Sequence, residues 1–275
     1  NGLKSLRIGL IVVRCKSTSS RIFVHMKTNI SMLLFCFLGL AYTSFAQPSD
    51  STRRSSVLSG SIGVTNNGIS LIPSFSLEKP AAIFNMSWQK GRFSFDPEFT
   101  FSLEGKPWYQ LYWLRYKLVT TPKFQLGTGM HLGLNFRSKV LPPIGESIIT
   151  ERYLVAELSP TYSIAKRTSL GLYYLHGRGF DIGTNQALHF IGLNTTFSDI
   201  SLAKNLLLSL TPQVYYLKAY GPEGFYFTSA FSLKMSNVPI TLRSTLNKVI
   251  QTKIPGSKDF LWNLVLSYSY QKGKH

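Results

Sequence analysis

The stretch RFSFDPEFTFSLE, residues 92–104, sets an apolar side chain on every odd position from Phe93 to Leu103, with Pro97 in the series. Every even position from Arg92 to Glu104 carries a charge or a hydroxyl. A helix would need apolar residues three and four apart, whereas a period of two is that of an extended strand. Two kinds of strand fit: an edge strand of a soluble antiparallel sheet, or a membrane-crossing strand with phenylalanines toward lipid and charges toward a lumen.

The start of the chain favours the second. From Met26 onward, Lys27 supplies a positive n-region, and an apolar run follows from about Ile30 to Tyr42. Ser44-Phe45-Ala46 then places small residues at −3 and −1 of a cleavage site. Residues 26–46 are predicted as a secretory signal, and 1–25, upstream of Met26, as a leader outside the fold. The apolar run is shorter than the roughly 20 residues of a spanning helix. Both cysteines, Cys15 and Cys36, lie before residue 47, so the predicted mature domain, 47–275, has neither disulfide nor cysteine metal site.

The net charge of +18 shrinks once these segments are set aside. Six of the 30 basic residues and none of the 12 acidic ones precede residue 47, leaving 24 against 12, a net of +12. Such an excess is compatible with nucleic acid, anionic solutes or an anionic surface, and export argues against nucleic acid. It fits phosphate-rich outer-membrane lipid and small anionic solutes.

The alternation recurs. KFQLGTGMHLGLNFR, residues 123–137, carries Phe124, Leu126, Met130, Leu132, Leu134 and Phe136 on one face, with three glycines and His131 on the other. FLWNLVLSYSY, residues 260–270, aligns Phe260, Trp262, Leu264, Leu266, Tyr268 and Tyr270. Several runs reach the roughly 9–11 residues of a tilted spanning strand. Short turns (89–92, 120–123, 165–168, 235–239) alternate with longer or Gly/Pro-rich connections (137–147, 177–185, 219–224, 252–259), as in barrels with periplasmic turns and extracellular loops. About thirteen segments alternate, and closure with both ends on one side needs an even number. One candidate between Val57 and Gln89 is therefore not a crossing. The prediction is an all-β, closed antiparallel up-and-down transmembrane barrel of about 12 strands, with 10–14 as the range. A soluble exported β-sandwich, extractable without detergent, is the fold alternative.

The FAQ cleavage site, the aromatic alternation and the closing WNLVLSYSY resemble outer-membrane β-barrel proteins of the Bacteroidetes type. GVTNNGISLIPSFSLEKPAAIF and YGPEGFYFTSAFSL resemble an uncharacterised family of such barrels. The resemblance implies a bacterial outer-membrane location and supplies no catalytic motif.

On this register Arg92, Asp96, Glu98, Arg115, Lys117, His131, Arg137, Glu157 and Arg243 point into the lumen. Opposite charges there can pair and stiffen the barrel, or the excess of bases can line a narrow channel for small, preferably anionic solutes. The expected function is accordingly non-enzymatic. The alternative is an outer-membrane lipid hydrolase with a site near His176, because YYLHGRGFDIGTNQALHF loosely resembles the lipid A deacylase region. That family has a His-x-Ser-Asn run, and here Gly177, Arg178 and Gly179 follow the histidine. No metal-ligand spacing and no phosphate-cradling loop implies a cofactor. Trp88, Trp108, Tyr109 and Tyr220 are expected in interfacial girdles.

Overall fold

The computed structural model describes residues 56–184 and 186–273, and the predicted leader and signal lie outside them. The strands are β1 (Ser56–Thr65), β2 (Ala81–Lys90), β3 (Phe93–Ser102), β4 (Pro107–Thr120), β5 (Phe124–Leu141) and β6 (Gly145–Ala165). They continue with β7 (Thr168–Gly179), β8 (Leu188–Ala203), β9 (Leu206–Ala219), β10 (Glu223–Met235), β11 (Ile240–Thr252) and β12 (Phe260–Gly273). Each pairs antiparallel with its sequence neighbours. β1 pairs with β12 from Val57↔Gly273 to Thr65↔Val265, which closes a twelve-stranded barrel.

Closure follows from where the apolar side chains go. Leu58, Ile62 and Val64 of β1, Phe84, Met86 and Trp88 of β2, and the even positions of β12 from Phe260 to Tyr270 are all exposed on the outside. In water such a band would have no cover. In a bilayer it is the lipid face of a transmembrane barrel, and a closed ring leaves no backbone amide or carbonyl at an open edge.

Three prolines interrupt the ring. The β2–β3 pairing skips from Asn85↔Glu98 to Trp88↔Phe95, beside Pro97. β6–β7 skips from Leu158↔Tyr174 to Thr161↔Gly171, beside Pro160. β8–β9 skips from Asn194↔Gln213 to Phe197↔Leu210, beside Pro212. A proline has no amide hydrogen to give, so each costs its seam a ladder bond. At the first seam the Ser87 hydroxyl donates to the Asp96 carboxylate across the gap.

One expectation is corrected. Most of residues 137–147, expected as a loop, extends the β5–β6 hairpin, whose register runs unbroken from Phe124↔Tyr162 to Leu141↔Gly145. The strand pairing continues there, with only Pro142–Ile144 at the tip. The segment between β1 and β2 that does not cross is residues 66–80, which contain a short 3-10 turn at Pro73–Phe75.

That β1–β2 loop folds into the lumen from the long-loop end. Asn66 Oδ1 accepts the Leu264 amide at 2.7 Å, and Asn67 Nδ2 donates to the Trp262 carbonyl at 3.0 Å, prolonging the β1–β12 seam. Trp108 Nε1 donates to the Phe75 carbonyl at 2.8 Å, and the Gly68 amide to the Lys79 carbonyl at 2.8 Å. Gly68 lets the loop reach the wall, because a Cβ there would meet the Trp108 ring at 2.8 Å. Lys258 of the β11–β12 loop pairs with Glu78 and ties the two loops together.

Candidate functional site

The lumen has two halves of different chemistry. In the outer half, toward the long loops, inward positions of β4 to β10 carry Trp113, Tyr153, Leu175, Phe190, Tyr215 and Tyr226, all buried. Phe190, Tyr215 and Tyr226 form a stack with successive centroids 4.8 Å apart. Ile72 and Phe75 of the inward loop pack onto this cluster, with the Phe75 and Tyr153 centroids 5.3 Å apart. In the inner half, inward positions of β1 and β2 are small and polar, among them Ser59, Ser61, Asn85 and Ser87.

The predicted lumen charges meet mainly where the halves join. Arg115 Nε donates to Glu157 Oε1 at 2.8 Å, and its NH1 to Asp96 Oδ2 at 3.1 Å. The guanidinium lies over the Trp113 ring, 4.0 Å from its centroid. Glu157, with only 4% of its side chain exposed, also accepts from the Tyr173 hydroxyl at 2.7 Å. Asp96 accepts from Ser87 and Ser94, and Glu98 from the Tyr109 hydroxyl. Gly129 makes room for this cluster, because a Cβ there would meet Arg115 Cγ at 2.9 Å and Glu157 Oε1 at 3.1 Å.

The remaining predicted residues lie apart from it. Arg137, toward the outer mouth, pairs with Glu151 at 3.2 Å and sits 5.7 Å over the Phe75 ring. Arg243, in the inner half, donates to Ser267 Oγ at 3.1 Å. Arg92 and Lys117 are exposed at the short-turn end, where Arg92 NH1 donates to the Leu118 carbonyl at 3.3 Å. Among the described residues Arg92, Lys117 and Arg243 take part in no ion pair within 4 Å. His131 is 8% exposed, its ring centroid 3.9 Å from that of Trp113, and its Nδ1 has no hydrogen-bond partner.

The expected aromatic girdle divides. Trp88 and Tyr220 are exposed on the outside, but Trp108 is buried against the inward loop and Tyr109 points inward to Glu98. Strand-end position alone does not tell an aromatic at the bilayer surface from one that closes the mouth.

Around His176 the rings of His176 and His189 lie 4.7 Å apart. They stand at outward positions of β7 and β8, in register as His176↔His189 and followed by His189↔Lys218. His189 Nδ1 pairs with the Tyr174 hydroxyl at 3.0 Å. Asp181, in the β7–β8 loop, is taken by Arg152, whose NH2 and backbone amide both donate to it at 2.6 Å. The arrangement thus pairs neither imidazole with a carboxylate or a serine among the described residues. No group of three or more His, Cys, Asp or Glu side chains arranged to hold a metal occurs among them either.

Three cavities occupy the lumen, one of them, about 260 Å³, between the inward loop and β9 to β11. An outer one of about 310 Å³ lies between the inward loop and the wall of β4 to β8. An inner one of about 620 Å³ lies against β1 to β4. Both are lined by Glu98, Trp113 and Arg115, so they adjoin at a waist formed by the ion-pair cluster. The waist and the inward loop are the features that sequence reading missed. The partners of Arg115 are 19 and 42 residues away, and nothing in residues 66–80 marks them as inward-folding.

No protein-family model and no curated protein matches the sequence. Several solved barrels are similar in shape. An outer membrane channel from Pseudomonas putida F1 superposes with a TM-score of 0.49 at 12% identity, over 82% of this chain and all of the other. LpxR from Salmonella typhimurium gives 0.46 at 9%, over 77% and 99%. The NanC porin gives 0.42 at 11%, over 79% and 100%.

Proposed function

We propose that the protein works without catalysis in a bacterial outer membrane, as a narrow conduit for small solutes that favours anions at its inner mouth. The observation that carries this reading is the pair of cavities adjoining at the Glu98–Trp113–Arg115 waist. The inward loop narrows the outer end. The waist sets the single cation Arg115 against the carboxylates of Asp96, Glu98 and Glu157, so the anion preference of the inner mouth rests on inner-half cations in no ion pair within 4 Å among the described residues, Lys117 and Arg243 among them. In water each is worth roughly 1 kcal/mol to an anion at contact distance.

Purified barrel in a planar bilayer tests this through single-channel conductance and an anion/cation reversal potential. Small discrete steps are expected, and Lys117→Gln with Arg243→Gln should lower the anion preference several-fold. Gly68→Ala, which drives a methyl into Trp108, should dislodge the loop and increase the conductance. Silence from a correctly inserted barrel would overturn the proposal.

A further inference from the structure

We propose that the outward face of β7 to β9, at its long-loop edge, is a binding site for the phosphate of an outer-leaflet lipid. The proposal rests on the outer-membrane location in the conduit reading, and not on conduction.

The strands mark where the hydrocarbon ends. Outward positions of β6 run apolar from Leu154 to Ile164, and those of β9 from Leu206 to Tyr216. Each run is 11 residues long, enough for a tilted strand, which needs roughly 9–11 to cross a bilayer. The next outward residues toward the long loops are Arg152 and Lys218. β7 and β8 change character at the same place. The register row Tyr174↔Ile191↔Tyr216 is aromatic and aliphatic, and the row beyond it is His176↔His189↔Lys218. Arg178 stands one outward position past His176, opposite Leu154 of β6.

This corner keeps its positive charge unclaimed. Elsewhere at the long-loop end Lys79, Lys106, Lys248 and Lys258 each hold a carboxylate, and Arg152 holds Asp181. Arg178 and Lys218 are exposed and take part in no ion pair within 4 Å among the described residues. Glu223 faces Lys218 in register, but the Tyr216 hydroxyl donates to it at 2.6 Å. Between the two cations lie the paired rings of His176 and His189, 4.7 Å apart.

A phosphate answers this set of groups. A guanidinium and an ammonium donate charge-assisted hydrogen bonds to its oxygens, and each imidazole has a ring N–H to add. The source is a lipid, because apolar rows continue directly below the cations. Leu172↔Leu193↔Val214 follows Tyr174↔Ile191↔Tyr216, so acyl chains can lie along the wall while the headgroup meets the basic row. At the border of hydrocarbon such a pairing is also less weakened by water than in the open solvent.

Native mass spectrometry of the full barrel in detergent tests this by counting retained lipids. Dioleoyl phosphatidic acid should bind saturably at one site, and dioleoylglycerol, with the same chains and no phosphate, should bind far more weakly. Arg178→Gln with Lys218→Gln should weaken the phosphatidic acid at least about tenfold, the usual worth of one charge-assisted hydrogen bond. Lys139→Gln with Lys253→Gln removes the same charge from exposed positions at the same end and should change nothing.

Folding is judged by gel mobility of unboiled samples, and either single variant carries the test should the double fail to fold. Undiminished binding in the folded variant overturns the proposal, as does an equal loss in the lysine control. Dioleoylglycerol retained as well as phosphatidic acid would show a merely apolar contact, and inorganic phosphate that binds as tightly would show a site for the free ion. Either result overturns the lipid assignment, and so does the lack of saturable binding. Conductance is read separately. A silent barrel that retains phosphatidic acid sinks the conduit and keeps the site, whereas a conducting barrel that retains none sinks the site alone.

Discussion

Replacing Arg115 by methionine should be among the most damaging single changes in the lumen, and the structure says why. Glu157 is nearly fully buried and holds two side-chain hydrogen bonds, from Arg115 Nε at 2.8 Å and from the Tyr173 hydroxyl at 2.7 Å. Losing the arginine leaves a buried carboxylate with one neutral donor. Asp96, 21% exposed, keeps two serine hydroxyls and suffers less. Orphaning one member of a buried ion pair costs roughly 3–5 kcal/mol. Arg115 itself is about a third exposed, which places the expected loss near the bottom of that range, about 3 kcal/mol. That is more than a hundredfold in the folded-to-unfolded ratio.

Glu157→Gln should repair much of the damage, because a neutral amide in the same place no longer needs a cation. The assay is reversible urea unfolding into phospholipid vesicles, followed by tryptophan fluorescence, for wild type, both single variants and the double. The coupling energy of the cycle is the quantity of interest. A loss below about 1 kcal/mol for Arg115→Met, or a double variant no better than that single, would refute the claim that this pair is the electrostatic keystone of the waist.

Two further outcomes follow from other parts of the barrel. Leu266, outward and half-exposed near the middle of β12, should tolerate arginine poorly, losing about 2–4 kcal/mol of folding free energy in vesicles. A loss under about 1 kcal/mol would remove this face from the bilayer. In the β7–β8 loop, hydrogen bonds from the Arg152 side chain, and then from its backbone amide, hold the Asp181 carboxyl below the ordinary aspartate range. Its contribution is therefore present above the unfolded value of about 3.9 and disappears as pH falls through the depressed folded value. Hydrogen exchange at the Arg152 amide should be slower in wild type than in Asp181→Asn at neutral pH, the two converging in strong acid. Equal rates at neutral pH would contradict the contact.

The barrel was legible in the sequence wherever its two faces differ in polarity. Residues 92–104 and 123–137 have lipid on one side and a polar lumen on the other, so period two stands out. In the outer half the contrast fails. Phe190 faces inward beside the outward Ile191, Leu217 beside Tyr216, and Tyr226 beside Phe225 and Phe227, so alternation records a strand without revealing that its lumen side is apolar. The inward direction of Arg115, Asp96 and Glu157 follows from register alone. Their mutual pairing depends on three strands meeting around Gly129, a three-dimensional fact with no local trace. Trp108 went the other way: a strand-end tryptophan reads as a bilayer anchor, and only the neighbouring loop shows that it serves as a latch.

The three proline gaps give the wall an uneven stiffness. Each gap leaves its seam, β2–β3, β6–β7 or β8–β9, a local stretch without ladder pairs, where the wall has least to hold it. Pressure from the surrounding bilayer is expected to act first at these gaps. The first gap carries Asp96 and Ser87, which line the inner cavity, and the second borders Glu157 and Tyr173. A wall that yields at these gaps would shift the waist residues before the rest of the lumen.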